Sequence, residues 1–146
     1  MVLNNEPTGH SEALARIVRM VGADSGTLHY IGPDGLLHLA AASAGMPPHV
    51  LAIIREIPVG KGMAGLAFER RAPVDACNIQ TDTSGDVRPG ARATGLAGSI
   101  VVPIFDGEDV VGTLGVANRS ERSFTEQEVE TLLAEGRNLA AQRPVG

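Results

Sequence analysis

Helical spacing of apolar residues marks the two ends of the chain. Near the start, Ser11 can cap a helix and Gly22 can end it. The apolar stripe of this helix consists of Leu14, Ile17, Val18 and Val21. A second helix opens at Thr125, where Thr125 and Glu128 form the pattern of a capping box, and continues until Pro144. The pattern therefore predicts one helix at each end of the chain.

The middle of the chain alternates extended and helical segments. Alternating apolar residues bounded by turn residues predict strands at 27–31, 36–42, 73–76, 99–105 and 109–117. Proline positions and periodicity predict short helices at 47–57 and 63–71. Segment 77–98 has no periodicity, and a loop of this length in a small domain is usually functional or disordered. Hairpins flanked by helices predict an α+β domain.

The first hairpin places two histidines in a testable relation. Its turn, residues 32–35, contains proline and glycine, which suit a tight turn. A four-residue turn pairs Ile31 with Leu36, and that register makes His29 the direct cross-strand neighbour of His38. Even a catalytic zinc normally takes three protein ligands, so two histidines alone do not indicate a metal site. No metal site is predicted.

Composition limits the class of protein. The chain has 146 residues, of which 43% are apolar, and this is enough for one domain, expected at 11–143 between tails at 1–10 and 144–146. No apolar run could span a bilayer, and the start lacks the pattern of a signal peptide, so a cytoplasmic protein is expected. The single cysteine, Cys77, excludes an internal disulfide. The net charge of -5 argues against nucleic acid or an anionic membrane as a partner.

A glycine-rich turn gives a misleading motif. Residues 60–65, Gly-Lys-Gly-Met-Ala-Gly, match the spacing of a dinucleotide fingerprint. A dinucleotide site needs a preceding parallel strand, whereas this segment follows a predicted helix. The pattern is therefore interpreted as a tight turn, although the first amides of the following helix could hold an anionic group of a ligand.

The order of four segments carries a family resemblance. IPVGKGMAGLAF at 57–68, APVD at 72–75, SIVVPI at 99–104 and VGTLGV at 111–116 together resemble the GAF domain, a small-molecule sensing module. The resemblance covers residues 11–141. It implies a GAF-like, profilin/PAS-like α+β fold: a central antiparallel sheet of five or six strands, terminal helices on one face, and short helices with a long loop on the other. Since it leaves no room for an output domain, the expected function is a sensor that acts on a separate signalling protein.

The resemblance also suggests where a ligand would bind. The site is expected where the long loop and the short helices close a pocket on the sheet, and the ligand is expected to be a small metabolite that the sequence does not identify. The candidate ligand-binding residues are Phe68, Asp75, Cys77, Asp86, Arg88, Arg92, Ser99, Val101 and Thr113. No catalytic residue is assigned, and the cofactor is left unknown.

The same residues bear on other chemistries of the family. GAF domains that reduce free methionine sulfoxide use several cysteines and carboxylates on the fifth strand, whereas this chain has only Cys77, with Gly115 and Ala117 where acids would be expected. A redox enzyme or thiol sensor centred on Cys77 is therefore the alternative function, and a scaffold that binds nothing is a third. Cyclic nucleotide is disfavoured because Lys61 is the only lysine, and a bilin is disfavoured because asparagine, not histidine, follows the cysteine.

A homodimer through the first and last helices is expected from the resemblance and from the composition of the last helix. Gly136 lies in the interior of that helix, where glycine costs about 1 kcal/mol relative to alanine. A close contact with a partner helix would explain why it is tolerated. Alanines beside the leucine stripe, Ala134, Ala140 and Ala141, would widen the apolar surface for that contact.

Overall fold

The computed structural model describes residues 8–87 and 94–143. Within these residues the chain forms four helices and six strands, which confirms the α+β class. In chain order they are α1 (Thr8–Met20), β1 (Ser25–Ile31), β2 (Leu36–Ala42), α2 (Pro48–Ile54), β3 (Glu56–Pro58), α3 (Gly62–Arg70), β4 (Val74–Ala76), β5 (Ser99–Asp106), β6 (Asp109–Ala117) and α4 (Glu126–Ala140). No helix of the described residues is both long enough and apolar enough to cross a bilayer.

All six strands join one antiparallel sheet in the order β3-β2-β1-β6-β5-β4. The two central strands, β1 and β6, come from opposite ends of the sequence. Because facing residues of paired strands lie on the same side of a sheet, the registers of β1, β6 and β5 define rows of side chains on each face. The strand pairing therefore shows which residues lie on each face of the sheet.

Helices α1 and α4 cover one face of the sheet, called the packed face below. Its rows are Gly26–Val116–Ile100, Leu28–Leu114–Val102 and Tyr30–Gly112–Ile104. The large side chains of these rows are buried against the apolar stripes of both helices. The Tyr30 hydroxyl donates to the Leu139 carbonyl at 3.0 Å, and burial raises the pKa of Tyr30 to about 12, so it remains a protonated donor.

The ends of the two terminal helices follow local sequence signals, with one correction. Gly22, with φ 67°, ends α1 because Gly22 N–H donates to Arg19 and Ala23 N–H donates to Val18, the Schellman arrangement. Helix α1 starts at Thr8, so Ser11 lies inside its first turn and is not the cap. The predicted capping box of α4 is confirmed: Thr125 Oγ1 accepts from Glu128 N–H at 3.1 Å, and Glu128 accepts from Thr125 N–H at 2.8 Å.

One arginine joins the ends of both helices to the sheet. Arg122 donates to the carbonyls of Val21 and Gly22 at the end of α1, and to Asn118 Oδ1 just after β6. It also donates to Glu128 in the first turn of α4 at 2.6 Å. Its guanidinium lies 4.3 Å from the centre of the Phe124 ring. Three separate segments therefore meet at a single side chain.

The predicted pairing of His29 with His38 is wrong by one residue. His29 faces Leu39, and His38 faces Tyr30. Gly32 N–H donates to the Leu36 carbonyl, so Gly32 belongs to the ladder and the turn has three residues instead of four. The third, Gly35, has φ 81°, as expected for a three-residue hairpin loop that ends in a left-handed residue. His29 and His38 therefore lie on opposite faces of the sheet.

Strand β3 was not predicted, and it shortens the preceding helix. The sequence pattern extends α2 to Ile57, but α2 ends at Ile54, and Ile57 pairs with Leu37 in an edge strand. Ile57 and Leu37 are both buried. A three-residue edge strand that contains Pro58 carries little periodicity, because an edge position tolerates the missing donor of proline.

Gly136 has a different partner from the one expected. A side-chain carbon at this position would lie 3.3 Å from Ile104 Cγ1, so the buried glycine packs α4 directly on β5 of the same chain. Ala140 is also part of this core, whereas Ala134 and Ala141 are exposed. Gly136 therefore gives no support to a contact with a second copy.

Candidate functional site

A cavity of about 170 Å³ lies on the face of the sheet opposite α1 and α4, called the cavity face below. Its floor is formed by β1, β6 and β5, where three rows cross the strands: Ser25–Ala117–Ser99, Thr27–Gly115–Val101 and His29–Thr113–Pro103. Residues of the first two rows line the cavity, as does His29 from the third. Most of these side chains are small, so the floor leaves space above it.

Apolar side chains form the walls and roof. They come from the segment before α2, from α2 itself, from β3, from the start of α3 and from the loop after β4. These residues are Met46, Val50, Ile53, Ile54, Ile57, Met63, Ala64, Ile79, Val87 and Leu96. The enclosure is therefore mainly apolar, as is typical of small-molecule sites.

The loop from Cys77 to Gly98 contributes to the roof where it is described. Ile79 N–H donates to the Ala97 carbonyl at 2.8 Å, and Ile79 and Ala97 are both buried. Asp86 accepts from Arg70 of α3 at 3.0 Å, which joins the loop to that helix. The loop is thus connected to the domain on both sides of residues 88–93, which lie outside the described residues.

His29 is the buried titratable group of the cavity floor. Its Nε2 lies 2.8 Å from the Ile54 carbonyl, so this nitrogen carries the proton and donates to the end of α2. Burial lowers the pKa of His29 below its ordinary value, and the hydrogen bond to Ile54 opposes this effect only in part. The imidazole is therefore a neutral group that connects β1 to the roof and adds no positive charge to the cavity.

The glycine-rich turn forms one edge of the cavity. Gly60 N–H donates to the Gly65 carbonyl at 2.9 Å, and a side chain at Gly65 would collide with the Pro58 carbonyl. The turn therefore brings the start of α3 close to β3, which supports its interpretation as a packing turn. Lys61, exposed at the N-cap of α3, lines the cavity and makes no side-chain capping bond.

The structure brings two of the candidate ligand-binding residues, Ser99 and Val101, into the cavity lining. Thr113 is on the same face, opposite His29, and is buried. Its Oγ1 has no hydrogen-bond partner among the described residues. These three positions share a face because β5 and β6 alternate sides.

The other candidate residues lie elsewhere. Asp75 and Cys77 are exposed and do not line the cavity, since Val74 and Ala76 take the inward positions of β4. Phe68 lies at a shallow depression beside Asp109. Asp86 is paired with Arg70, outside the cavity lining. Arg88 and Arg92 lie outside the described residues.

Sequence reasoning missed most of the roof. The sequence pattern gave no sign that Val50 and Ile54 of α2, or the following Ile57, line a cavity. Only the packing of α2 across the sheet turns them towards a cavity. The alternation along β1 was a usable signal, because it places Thr27 and His29 on the face opposite Leu28 and Tyr30.

A polar cluster that does not line the cavity is formed by the turn after β1 and by strands β2 and β3. Asp34, His38 and Glu56 offer possible ligand atoms within 4.8 Å of one another. His38 Nε2 lies 2.9 Å from Asp34, and His38 Nδ1 lies 3.7 Å from Glu56. The hydrogen bond from His38 lowers the pKa of Asp34. The side chains of this cluster are partly exposed and satisfy one another, which is sufficient to explain the arrangement.

An antiparallel sheet with the terminal helices on one face and a small cavity on the other defines this α+β domain. The family model described as GAF domain matches residues 11–140. The chain belongs to the GAF domain family. No protein with a curated description shows a significant match to it.

Solved structures show the same fold. The GAF domain of a phosphoenolpyruvate-protein phosphotransferase from Coxiella burnetii is 21% identical, with a TM-score of 0.76 over 96% of this chain and 83% of that one. The second GAF domain of DevS from Mycobacterium smegmatis is 23% identical, with a TM-score of 0.68 over 94% and 92% of the two chains. A type II free methionine-R-sulfoxide reductase from Thermoplasma acidophilum is 17% identical, with a TM-score of 0.73 over 92% and 89%.

Proposed function

We propose that this GAF domain is a sensory binding module: it takes a small molecule into the cavity and signals its presence to a separate protein. The observation that supports this most directly is the cavity of about 170 Å³ between the sheet and helices α2 and α3. Protein interiors normally leave few voids larger than one water molecule. The volume of about 170 Å³ is close to that of an apolar cavity of roughly 150 Å³ that binds benzene, so a small organic molecule would fit.

The position of the cavity suits signalling. Strands β1 and β6 form its floor, and the same strands pack against α1 and α4 on their other face. A ligand that displaces the floor would therefore act on both terminal helices. In this proposal the terminal helices transmit the bound state to the partner protein.

The placement of the cysteine favours binding over the redox alternative. The exposed Cys77 does not line the cavity, and floor positions 115 and 117 are glycine and alanine. A redox role for Cys77 is the second candidate, because the free methionine-R-sulfoxide reductase from Thermoplasma acidophilum has the same fold. Ligand binding by a Cys77→Ser variant that matches the parent would support the binding module, whereas loss of a measured reductase activity in this variant would support the alternative.

The test of the binding module compares two alanine-to-leucine variants. Ala64→Leu adds volume inside the cavity, and Ala134→Leu adds the same volume on the exposed face of α4. Protein purified from cells would be extracted and the extract analysed by mass spectrometry. We expect a small molecule at near-stoichiometric level in the parent and in Ala134→Leu, and its loss in Ala64→Leu. The same amount of small molecule in the extracts of all three proteins would contradict the proposal.

Homodimerisation through α1 and α4 is a separate part of the proposal. Met20 is an exposed apolar residue of α1, and an ion pair of Arg16 with Glu135 at 3.0 Å joins the two helices. A partner surface formed by both helices would suit a two-fold dimer. Light scattering at micromolar concentration checks this: the mass of one chain, 15.1 kDa, would exclude the dimer.

A further inference from the structure

On the basis of the proposed binding function, we infer that the ligand of this cavity is a compact, mostly apolar molecule with one hydroxyl group, and that this hydroxyl donates a hydrogen bond to Nδ1 of His29. Three features of the described residues support this class of ligand: the position of the proton on His29, the access of its second ring nitrogen to the cavity, and the open floor at Gly115.

The position of the proton makes Nδ1 of His29 a hydrogen-bond acceptor. The Ile54 carbonyl, 2.8 Å from Nε2, can only accept, so Nε2 carries the proton. The ring is neutral, because burial lowers the pKa of His29. A neutral imidazole with its proton on Nε2 has a lone pair on Nδ1. Nδ1 can therefore pair with a donor and not with another acceptor.

Nδ1 has access to the cavity. His29 lines the cavity and is only 2% exposed. Among the described residues, the side-chain atoms that are both unpaired and closed off from any space are His10 Nε2 and Thr113 Oγ1. Nδ1 of His29 also has no donor among the described residues, but it is not closed off. Since the rest of this side chain is enclosed, we place the lone pair of Nδ1 towards the cavity, where a ligand O–H can satisfy it.

The floor beside His29 has room for the oxygen of that hydroxyl. Thr27 lies two residues before His29 on β1 and therefore on the same face of the sheet. Gly115 of β6 faces Thr27, and a side-chain carbon at Gly115 would lie 3.3 Å from Thr27 Oγ1 and 3.2 Å from Val101 Cγ2. Because residue 115 has no side chain, the space between these groups belongs to the cavity.

This pair of floor groups selects a hydroxyl. The Thr27 hydroxyl can donate to a ligand oxygen, whereas Nδ1 of His29 can only accept. A ligand hydroxyl can accept from the first group and donate to the second. A carbonyl or an ether oxygen can only accept, so it would leave Nδ1 unpaired.

The rest of the ligand would contact apolar side chains. The walls from α2 and β3, which include Val50, Ile54 and Ile57, suit a hydrocarbon body. The volume of about 170 Å³ limits this body to about one small ring with a single substituent, since benzene fills a cavity of roughly 150 Å³.

The experiment uses three probes: phenol, which donates and accepts hydrogen bonds; toluene, which has nearly the same shape and does neither; and benzaldehyde, which only accepts. Each probe is titrated into the full chain while amide chemical shifts are followed by NMR. We expect the Kd of phenol to be roughly fivefold below that of toluene, the effect of one net hydrogen bond, with benzaldehyde weakest. Without a partner for its hydroxyl, phenol would bind more weakly than toluene, because it would lose its hydrogen bonds to water.

A second measurement identifies the acceptor without any substitution. The NMR signals of the two ring nitrogens of His29 are recorded in the free protein and with each probe at saturation. Phenol should shift the Nδ1 signal strongly and leave the proton on Nε2, whereas toluene should change Nδ1 far less. His49, which is exposed and does not line the cavity, is the internal control.

His29→Phe keeps an aromatic ring and removes the acceptor. It should weaken phenol binding by roughly fivefold and leave the Kd of toluene within about twofold of the parent, and His49→Phe should change neither. If His29→Phe does not fold, the nitrogen signals of the parent still decide the question.

Two results would overturn the hydroxyl inference and leave the binding cavity intact: toluene binding more tightly than phenol, or an unchanged Nδ1 signal in saturating phenol. Absence of saturable binding by all three probes would also overturn it, and the extraction experiment with Ala64→Leu would then decide separately whether the cavity binds anything.

Discussion

The two faces of the central sheet are built from the same strands and yet differ in the size of their side chains. On the packed face, the row Leu28–Leu114–Val102 fills the space beneath α1 and α4. On the cavity face, one residue along each strand, the row Thr27–Gly115–Val101 leaves space. Strand alternation thus lets one sheet form a packed core on one side and the floor of a cavity on the other.

The largest expected difference between the faces comes from adjacent valines. Val102→Ala on the packed face should destabilise the protein by about 2.5 kcal/mol, because the side chain is fully buried among well-packed neighbours. Val101→Ala should cost about 1 kcal/mol, because Val101 already borders a cavity and loses fewer contacts. Urea denaturation of both variants measures the two values. Equal losses would mean that the two faces are equally well packed.

Gly136 tests how closely α4 approaches the packed face. Gly136→Leu should destabilise folding by about 2 kcal/mol, since the added side chain meets Ile104 of β5 and outweighs the gain in helix propensity. The control is Ala134→Leu on the exposed face of α4, expected to lie within about 0.5 kcal/mol of the parent. A variant with unchanged thermal stability but weaker self-association would show instead that Gly136 faces a partner.

His29 makes the cavity face sensitive to pH. Its pKa in the folded protein is below the ordinary value near 6.5, so the unfolded chain binds the proton more readily. Above about pH 6.5, His29 is neutral in both the folded and the unfolded chain, and its titration does not change the free energy of unfolding. As the pH falls below that value, the free energy of unfolding decreases by no more than about 1.4 kcal/mol per pH unit. The pKa values of Asp34 and Glu128 are also lowered, but these carboxyl groups change the free energy of unfolding only at lower pH.

The measurement is the free energy of unfolding between pH 7.5 and 5, taken as an approximate window around the ordinary pKa of histidine. His29→Gln should flatten the curve, because glutamine can donate to the Ile54 carbonyl without titrating. His49→Gln is the matched control, since His49 is exposed and does not line the cavity. If the free energy of unfolding still falls steeply with decreasing pH in His29→Gln, another group causes the pH dependence.

The smallest effect concerns the start of α4 above the packed face. Thr125→Ala should cost about 1 kcal/mol, because it removes the side-chain oxygen that accepts from Glu128 N–H. Thr131→Ala, inside the same helix, should stay within about 0.5 kcal/mol of the parent. Thermal unfolding of the pair separates the cap from a general effect of removing threonine.

Local signals in the sequence were sufficient to predict most of the helices and strands. The capping box at Thr125 and the helix stop at Gly22 depend on residues within a few positions, and both are confirmed. The hairpin was predicted, but its register was missed because Gly32 could belong either to the turn or to the ladder. A three-residue edge strand, β3, has too few residues to show alternation.

The candidate site was harder to predict because its roof is assembled from distant segments. Ser99 and Val101 line the cavity, but Val50, Ile54 and Ile57 do so only after α2 folds across the sheet. Alternation along β4 could have excluded Asp75 and Cys77, since Val74 and Ala76 take the buried positions. The resemblance supplied the fold, whereas the shape of the cavity depends on tertiary packing.

The hydrogen bonds of Arg122 have a consequence for local unfolding. The end of α1, the residues after β6 and the first turn of α4 share this one guanidinium. Opening any one of them removes bonds that help to fix the position of the guanidinium to which the other two are bonded. The last turn of α1 and the first turn of α4 should therefore open as one cooperative unit, and their amides should exchange hydrogen with a common free energy although they lie about a hundred residues apart in the chain.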